Sequence, residues 1–197
     1  MTTAVAPRWR RLDPDERRDQ ILACAVRLFG ERPYAAVSTT EIAAQAGVAR
    51  GLLNHYFGTK RDLYLEAVRT MLFLPPPEEI GPVSGTIAER VDAAVGWLVN
   101  VIDTYGVVWL RYAGAGGADA DVREILDEAD NRAADRVLDV IGFAGTEAER
   151  AVAHATVRAF GGAVKAMARE IVEHRTISPE QARRQLGAAL VAMLEEL

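Results

Sequence analysis

Residues 38–60 constrain this chain more than any other stretch: S-T-T-E-I-A-A-Q-A-G-V-A-R-G-L-L-N-H-Y-F-G-T-K. The run reads as two short helices joined by a tight turn. Ser38 is an N-cap, and Glu41 three residues later completes the S-x-x-E capping box. Ile42, Ala43 and Ala46 supply a small apolar face that lets a second helix approach closely. Gly47 ends the first helix, because glycine takes the left-handed conformation without steric cost. Val48 plugs the turn. The second helix, about Ala49 to Tyr56, turns Leu53 inward and shares Arg50, Gly51, Leu52, Asn54, His55 and Tyr56 between the surface and the helix ends. These are the size and chemistry of a helix-turn-helix, whose second helix enters the DNA major groove. A glycine between two amphipathic helices is also common in plain helical bundles, so the turn alone does not separate the two readings.

The wider motif does separate them. The run G-V-A-R-G-L-L-N-H-Y-F-G-T-K-R-D-L, Gly47 to Leu63, with the S-T-T-E-I-A-A-Q-A-G-V that leads into it, resembles the signature of the tetracycline-repressor (TetR) family of bacterial regulators. The family pattern is roughly T-x-x-x-I-A-x-x-A-G-V-S-x-G-T-L-Y-x-H-F-x-x-K-x-x-L. This chain departs from it at Ala49, Leu52 and Asn54, which are surface positions of the recognition helix and bear on operator sequence rather than fold. The strong resemblance covers about residues 14–72. It implies an all-α protein of about nine helices, with an N-terminal helix-turn-helix domain and a C-terminal helical domain that binds a small ligand and dimerises.

Charge agrees with that division. The chain of 197 residues carries a net charge of −5. Residues 1–60 hold nine Arg/Lys against six Asp/Glu, whereas residues 61–197 hold fourteen against twenty-two. A basic first third on an acidic body is expected where only the first part meets phosphate. One cysteine, Cys24, excludes an intrachain disulfide and suits a reducing cytoplasm; its expected role is a small buried hydrophobe. Charges recur through the first twenty residues, so no secretory leader is expected there. The most apolar stretch, Val95 to Leu110, is interrupted by Asn100 and Asp103, and no membrane span is expected.

Punctuation sets the domains. Residues 1–12 read as a flexible basic tail, either solvated or an arm toward DNA. Residues 13–74 form the DNA-binding domain, opening with Asp13 as N-cap and Pro14 at the first helical position and closing that first helix at Gly30. Thr59 caps a fourth helix. Lys60 and Arg61 sit at its start, where the helix dipole disfavours cations, so another partner is expected for them. Residues 75–85, rich in Pro and Gly, read as a linker. Residues 86–197 are helical throughout, with helices expected at about 86–105, 107–112, 120–141, 146–174 and 179–195.

Three sets of residues carry candidate function. By matched position, Arg50, Gly51, Leu52 and Asn54 face bases: Arg50 has the fork for guanine, Asn54 the amide for adenine, and Leu52 an apolar contact for a thymine methyl. Ser38, Thr39, His55, Tyr56 and Lys60 match positions that hold phosphate. Trp97, Tyr105, Trp109, Tyr112 and Phe160 are candidates for the ligand pocket the resemblance implies, and they suit an apolar or aromatic effector; Asn100, Asp103 and Arg111 are candidates to orient it. Ala155, Ala159, Gly162, Ala163, Leu186, Ala189, Leu190 and Met193 are the candidate dimer interface, a four-helix bundle built from the last two helices of each subunit. His55, His154 and His174 stand in no metal-ligand spacing, and neither a P-loop nor a G-x-S-x-G is present, so neither metal, cofactor nor enzymatic activity is expected. The expected partners are operator DNA, a small effector and a second copy of the chain, in the cytoplasm and away from any membrane. The reading is a DNA-binding transcriptional regulator, by family habit a repressor. The alternative is a helical protein-interaction adaptor without operator specificity.

Overall fold

The computed structural model describes residues 13–73, 84–115, 117 and 119–196. The expected tail lies outside these residues, as does most of the expected linker. The described residues form eight α-helices: α1 (Pro14–Glu31), α2 (Thr39–Gln45), α3 (Arg50–Phe57), α4 (Lys60–Leu72), α5 (Ile87–Ala113), α6 (Ala120–Ile141), α7 (Glu147–Arg169) and α8 (Pro179–Glu195). The fold is all-α, with helix-turn-helix elements first and a helical bundle after. It separates into two compact units, one ending at Ala67 and one beginning at Val68.

Capping chemistry explains where most helices begin. Asp13, Thr86, Thr146 and Ser178 each accept a hydrogen bond from the amide three residues on, and each receives the reciprocal side chain: Glu16, Glu89, Glu149 and Gln181. Two orphan amides are satisfied at each such end. Thr59 and Asp62 close the same box on α4, with the Thr59 amide donating to Asp62 at 3.0 Å and the Asp62 amide to the Thr59 hydroxyl at 3.1 Å. At α2 only half of the expected box exists. The Ser38 hydroxyl accepts from the Glu41 amide at 3.1 Å, but the Glu41 carboxylate turns to Arg32 at 2.6 Å. A charged partner outcompetes a neutral amide for that carboxylate.

In the first unit α1, α2 and α3 pack around Ile21, Ala25, Leu28, Ile42, Ala43, Ala46 and Leu53, all buried. Phe29 and Tyr64 meet edge to face at 5.1 Å, and Tyr34, from the short 3-10 turn between α1 and α2, lies 4.8 Å from Tyr64. The first helix runs one residue past Gly30, which is buried within it. Cys24 is half-buried rather than enclosed.

In the second unit α5 packs on α6, α7 and most extensively on α8, while α6 packs on α7. Two expected helices, 86–105 and 107–112, are one 27-residue helix, which reduces the expected nine to eight. Gly106 does not break it. A Cβ there would lie 2.6 Å from Cγ2 of Val172, so the glycine admits a close neighbour. That neighbour belongs to a widened π-type turn, Glu170–His174, which extends α7 to the expected end at His174. Asn100 and Asp103 do not interrupt α5 either: both are exposed on it. By length and composition α5 is apolar enough to cross a membrane. Its buried stripe, Val91, Val95, Val99 and Ile102, faces the core of this bundle.

Candidate nucleic-acid interface and ligand cavity

The turn between α2 and α3 is built by backbone chemistry. Gly47 has φ +64°, and the amides of Gly47 and Val48 reach back to the carbonyls of Ala44 and Ala43 at 3.2 and 3.0 Å. This double closure satisfies carbonyls that the end of α2 would otherwise orphan, and it requires a left-handed residue. Leu53 and Phe57 anchor α3 inward. Of the expected base-facing residues, Arg50, Gly51 and Asn54 are exposed and Leu52 is half-buried. A Cβ built on Gly51 meets nothing within 4 Å, so the packing of this chain does not demand a glycine there.

The expected phosphate-facing residues divide by environment. Ser38 and His55 are exposed; Thr39, Tyr56 and Lys60 are half-buried. His55 and Tyr56 rings contact edge to face at 5.2 Å. The Lys60 ammonium donates to the Tyr34 carbonyl at 2.6 Å and lies 4.1 Å over the Tyr34 ring. This is the partner expected for a cation placed at the positive end of a helix dipole. Burial holds its pKa below the ordinary lysine value.

Other cations of this unit are engaged internally as well. Arg18 pairs with Glu66 and lies 4.9 Å from the Phe57 ring centroid, Arg27 bonds Gln45, and Arg32 bonds Glu41. Residues 13–60 hold six cations against six acids, so the positive excess of the first 60 residues resides in Arg8, Arg10 and Arg11, outside the described residues.

The second unit contains a cavity of about 130 Å³ lined from α5, α6 and α7 together with Leu72. Leu98, Trp109, Leu126, Val157, Phe160 and Val164 form its apolar wall. Asp130, Arg136, Arg158 and Lys165 also line it. The Lys165 ammonium donates to both Asp130 oxygens, at 2.6 and 2.9 Å. Arg136 has its pKa lowered, first by burial and then by the Arg132 charge one turn away.

Two of the five expected pocket aromatics, Trp109 and Phe160, are in this lining. The other three are corrections. Tyr112 is 1% exposed and packed in the core, Tyr105 is 58% exposed, and Trp97 is half-buried elsewhere on α5. Asn100, Asp103 and Arg111 are exposed and absent from the cavity lining. Sequence reasoning missed the charged lining, since Asp130 and Lys165 are 35 residues apart and neither stands in a recognisable motif.

The expected dimer residues also divide. Ala155, Ala159, Gly162, Ala163 and Ala189 are exposed on α7 and α8, and Met193 is half-buried. Leu186 and Leu190 are 2% and 1% exposed and fill the core of their own chain, so they offer no surface to a second copy.

An all-α chain opening with a capped helix-turn-helix and continuing into a separate helical bundle defines a helix-turn-helix protein. Residues 21–67 match the profile of the bacterial regulatory proteins of the tetR family, and the chain belongs to that family. It is 30% identical over 121 residues to the HTH-type transcriptional regulator HbdR of Aromatoleum sp. (strain CIB), covering 60% of this chain and 53% of that one. It is 33% identical over 81 residues to the HTH-type transcriptional regulator BetI of Rhizobium meliloti (strain 1021), covering 40% of each. The matched stretch thus spans about half or less of these curated relatives. A crystal structure of a tetR-family transcriptional regulator from Streptomyces coelicolor has the same fold, with a TM-score of 0.73 at 23% identity, over 92% of this chain and 82% of that one.

Proposed function

We propose that this chain is a ligand-responsive transcriptional repressor that binds a palindromic operator as a homodimer and is released by a small effector. The observation that carries the reading is α3, whose exposed Arg50, Gly51 and Asn54 are held on a helix anchored by Leu53 and Phe57 behind a glycine turn. Arg50 and Asn54 supply the two bidentate groups that discriminate guanine and adenine, and Leu52 an apolar edge for thymine. Ser38, Thr39, His55, Tyr56 and Lys60 hold phosphate and set register. Two-fold symmetry through the exposed small residues of α7 and α8 pairs two heads with two half-sites. The effector enters the cavity beside Trp109 and Phe160 and weakens DNA binding to the extent that it favours the non-binding conformation. The proposed setting is the cytoplasm, where the operator is.

The test is fluorescence anisotropy of a duplex taken from the DNA flanking its own gene, at two salt concentrations, against a scrambled duplex. A specific regulator binds its site at least roughly a thousandfold more tightly than the scramble, with affinity falling steeply in salt. Equal, weak binding to both on every flanking segment leaves the fold intact and favours the protein-interaction adaptor.

A further inference from the structure

The cavity of the second unit combines two features that together select a ligand. Its walls are mostly apolar, and its volume of about 130 Å³ is close to that of a cavity that takes up a single benzene ring, roughly 150 Å³. Its charged lining is unbalanced. Among the described lining residues, Arg136, Arg158 and Lys165 face one carboxylate, Asp130. Arg158 is exposed at the surface, whereas Arg136, Asp130 and Lys165 are half-buried, where charges interact more strongly than in water.

Lys165 and Asp130 already satisfy each other through two hydrogen bonds of 2.6 and 2.9 Å. The pair acts as an internal stand-in: a carboxylate held against an ammonium at the side of an apolar cavity. Lys165 is the sole lysine in residues 68–197, among a set of cations that is otherwise arginine. Its flexible stem allows the ammonium to turn from Asp130 to an incoming anion without displacing a helix. Arg136 donates from Nε to the Arg132 carbonyl at 3.4 Å, and the Arg132 charge one turn away adds to the positive potential at this position. A cationic ligand entering here meets three like charges and a carboxylate already engaged. A neutral ligand gains the apolar walls alone. An anion gains both.

We propose that the cavity takes a compact organic acid, a body of about one aromatic ring bearing a carboxylate, with Lys165 and Arg136 as the partners of the anion and Asp130 as the internal carboxylate it competes with. The assignment rests on the reading of this cavity as the effector site, and it replaces a purely apolar effector by an anionic one.

The test uses the full chain and three probes of one shape: benzoate, toluene and benzylamine. Binding is read by calorimetry and by the fluorescence of Trp109 in the lining. Benzoate is expected to bind about tenfold or more tighter than toluene, the scale of one charge-assisted hydrogen bond, and benzylamine weakest. Lys165→Met is expected to abolish that preference while leaving toluene affinity in place, and Lys165→Arg to retain it. Asp130→Asn, which keeps the shape and removes the competing charge, is expected to tighten benzoate alone; it carries the test should Lys165→Met fold poorly. Toluene binding as well as or better than benzoate overturns the anion assignment while sparing the cavity as effector site. Weaker benzoate binding in Asp130→Asn overturns the competitor role. Binding of none of the three overturns both the effector-site reading and this proposal.

Discussion

Gly51 and Gly106 both sit inside helices, where glycine costs about 1 kcal/mol relative to alanine, yet the two units of the molecule use them in opposite ways. Gly106 is buried, with Val172 where its Cβ would be. Gly51 is exposed, with nothing within 4 Å. In the second unit a helical glycine is explained by the fold itself. In the first it has no internal explanation and leaves a gap on the outer face of the recognition helix, where DNA backbone or base edges approach. An unfavourable residue without an internal reason is a mark of function, and the same residue with one is a mark of packing.

The comparison can be broken most directly at Gly106. Gly106→Ala places a methyl against Val172, and overpacking of this kind is expected to destabilise the chain by about 1–3 kcal/mol, read as a lower urea midpoint. Stability equal to or above the parent would show that α5 and the turn at 170–174 do not need their close approach. Lys60→Ala tests the first unit. It removes the cation over Tyr34 and the bond to its carbonyl, with an expected loss of about 0.5–2 kcal/mol, together with weaker binding to all DNA sequences alike. Unchanged affinity at low salt would remove Lys60 from the phosphate set. Gly51→Ala should move in the other direction on stability, gaining up to about 1 kcal/mol, while lowering operator affinity. A variant that gains stability and keeps its affinity would return Gly51 to an ordinary surface position.

The smallest expected effect concerns the start of α4. The Thr59 hydroxyl, then the Thr59 amide, hold the Asp62 carboxyl below its ordinary pKa. A carboxylate whose folded pKa is depressed contributes stability that is fully present above its unfolded value and is lost as pH falls through the folded one. Thr59→Ala should therefore flatten part of the acid limb of a stability–pH curve and leave the neutral region almost parallel to the parent. An unchanged acid limb would mean that the box adds nothing in solution.

Legibility followed the range of the interactions. The helix starts at Asp13, Ser38, Thr59, Thr86, Thr146 and Ser178 were readable because a cap is made between residues three apart, and Gly47 and Gly142 were readable as stops because a left-handed residue is needed wherever a helix closes in this way. Glu41 was the exception, since its carboxylate had a choice between a local amide and Arg32, nine residues away. Apolar periodicity correctly marked Leu186 and Leu190 as facing something. It carries no information on whether that something is the same chain or another, and both proved to be core. The aromatic residues of α5 failed for a related reason: their types suited a pocket, but Tyr105, Trp109 and Tyr112 take different directions around one helix, and only Trp109 reaches the cavity.

By itself, then, the sequence determined the helical class, most of the helix starts, the turn that sets α3 on α2, and membership in the tetR family, all of which rest on contacts local along the chain or on an unbroken motif. The tertiary structure alone decided that α5 runs through Gly106, that Lys60 rests on Tyr34, and that Lys165 meets Asp130 beside Trp109 and Phe160. Each of these joins side chains 26 or more residues apart, and such a pairing exists only once helices have packed and water has been excluded from between them.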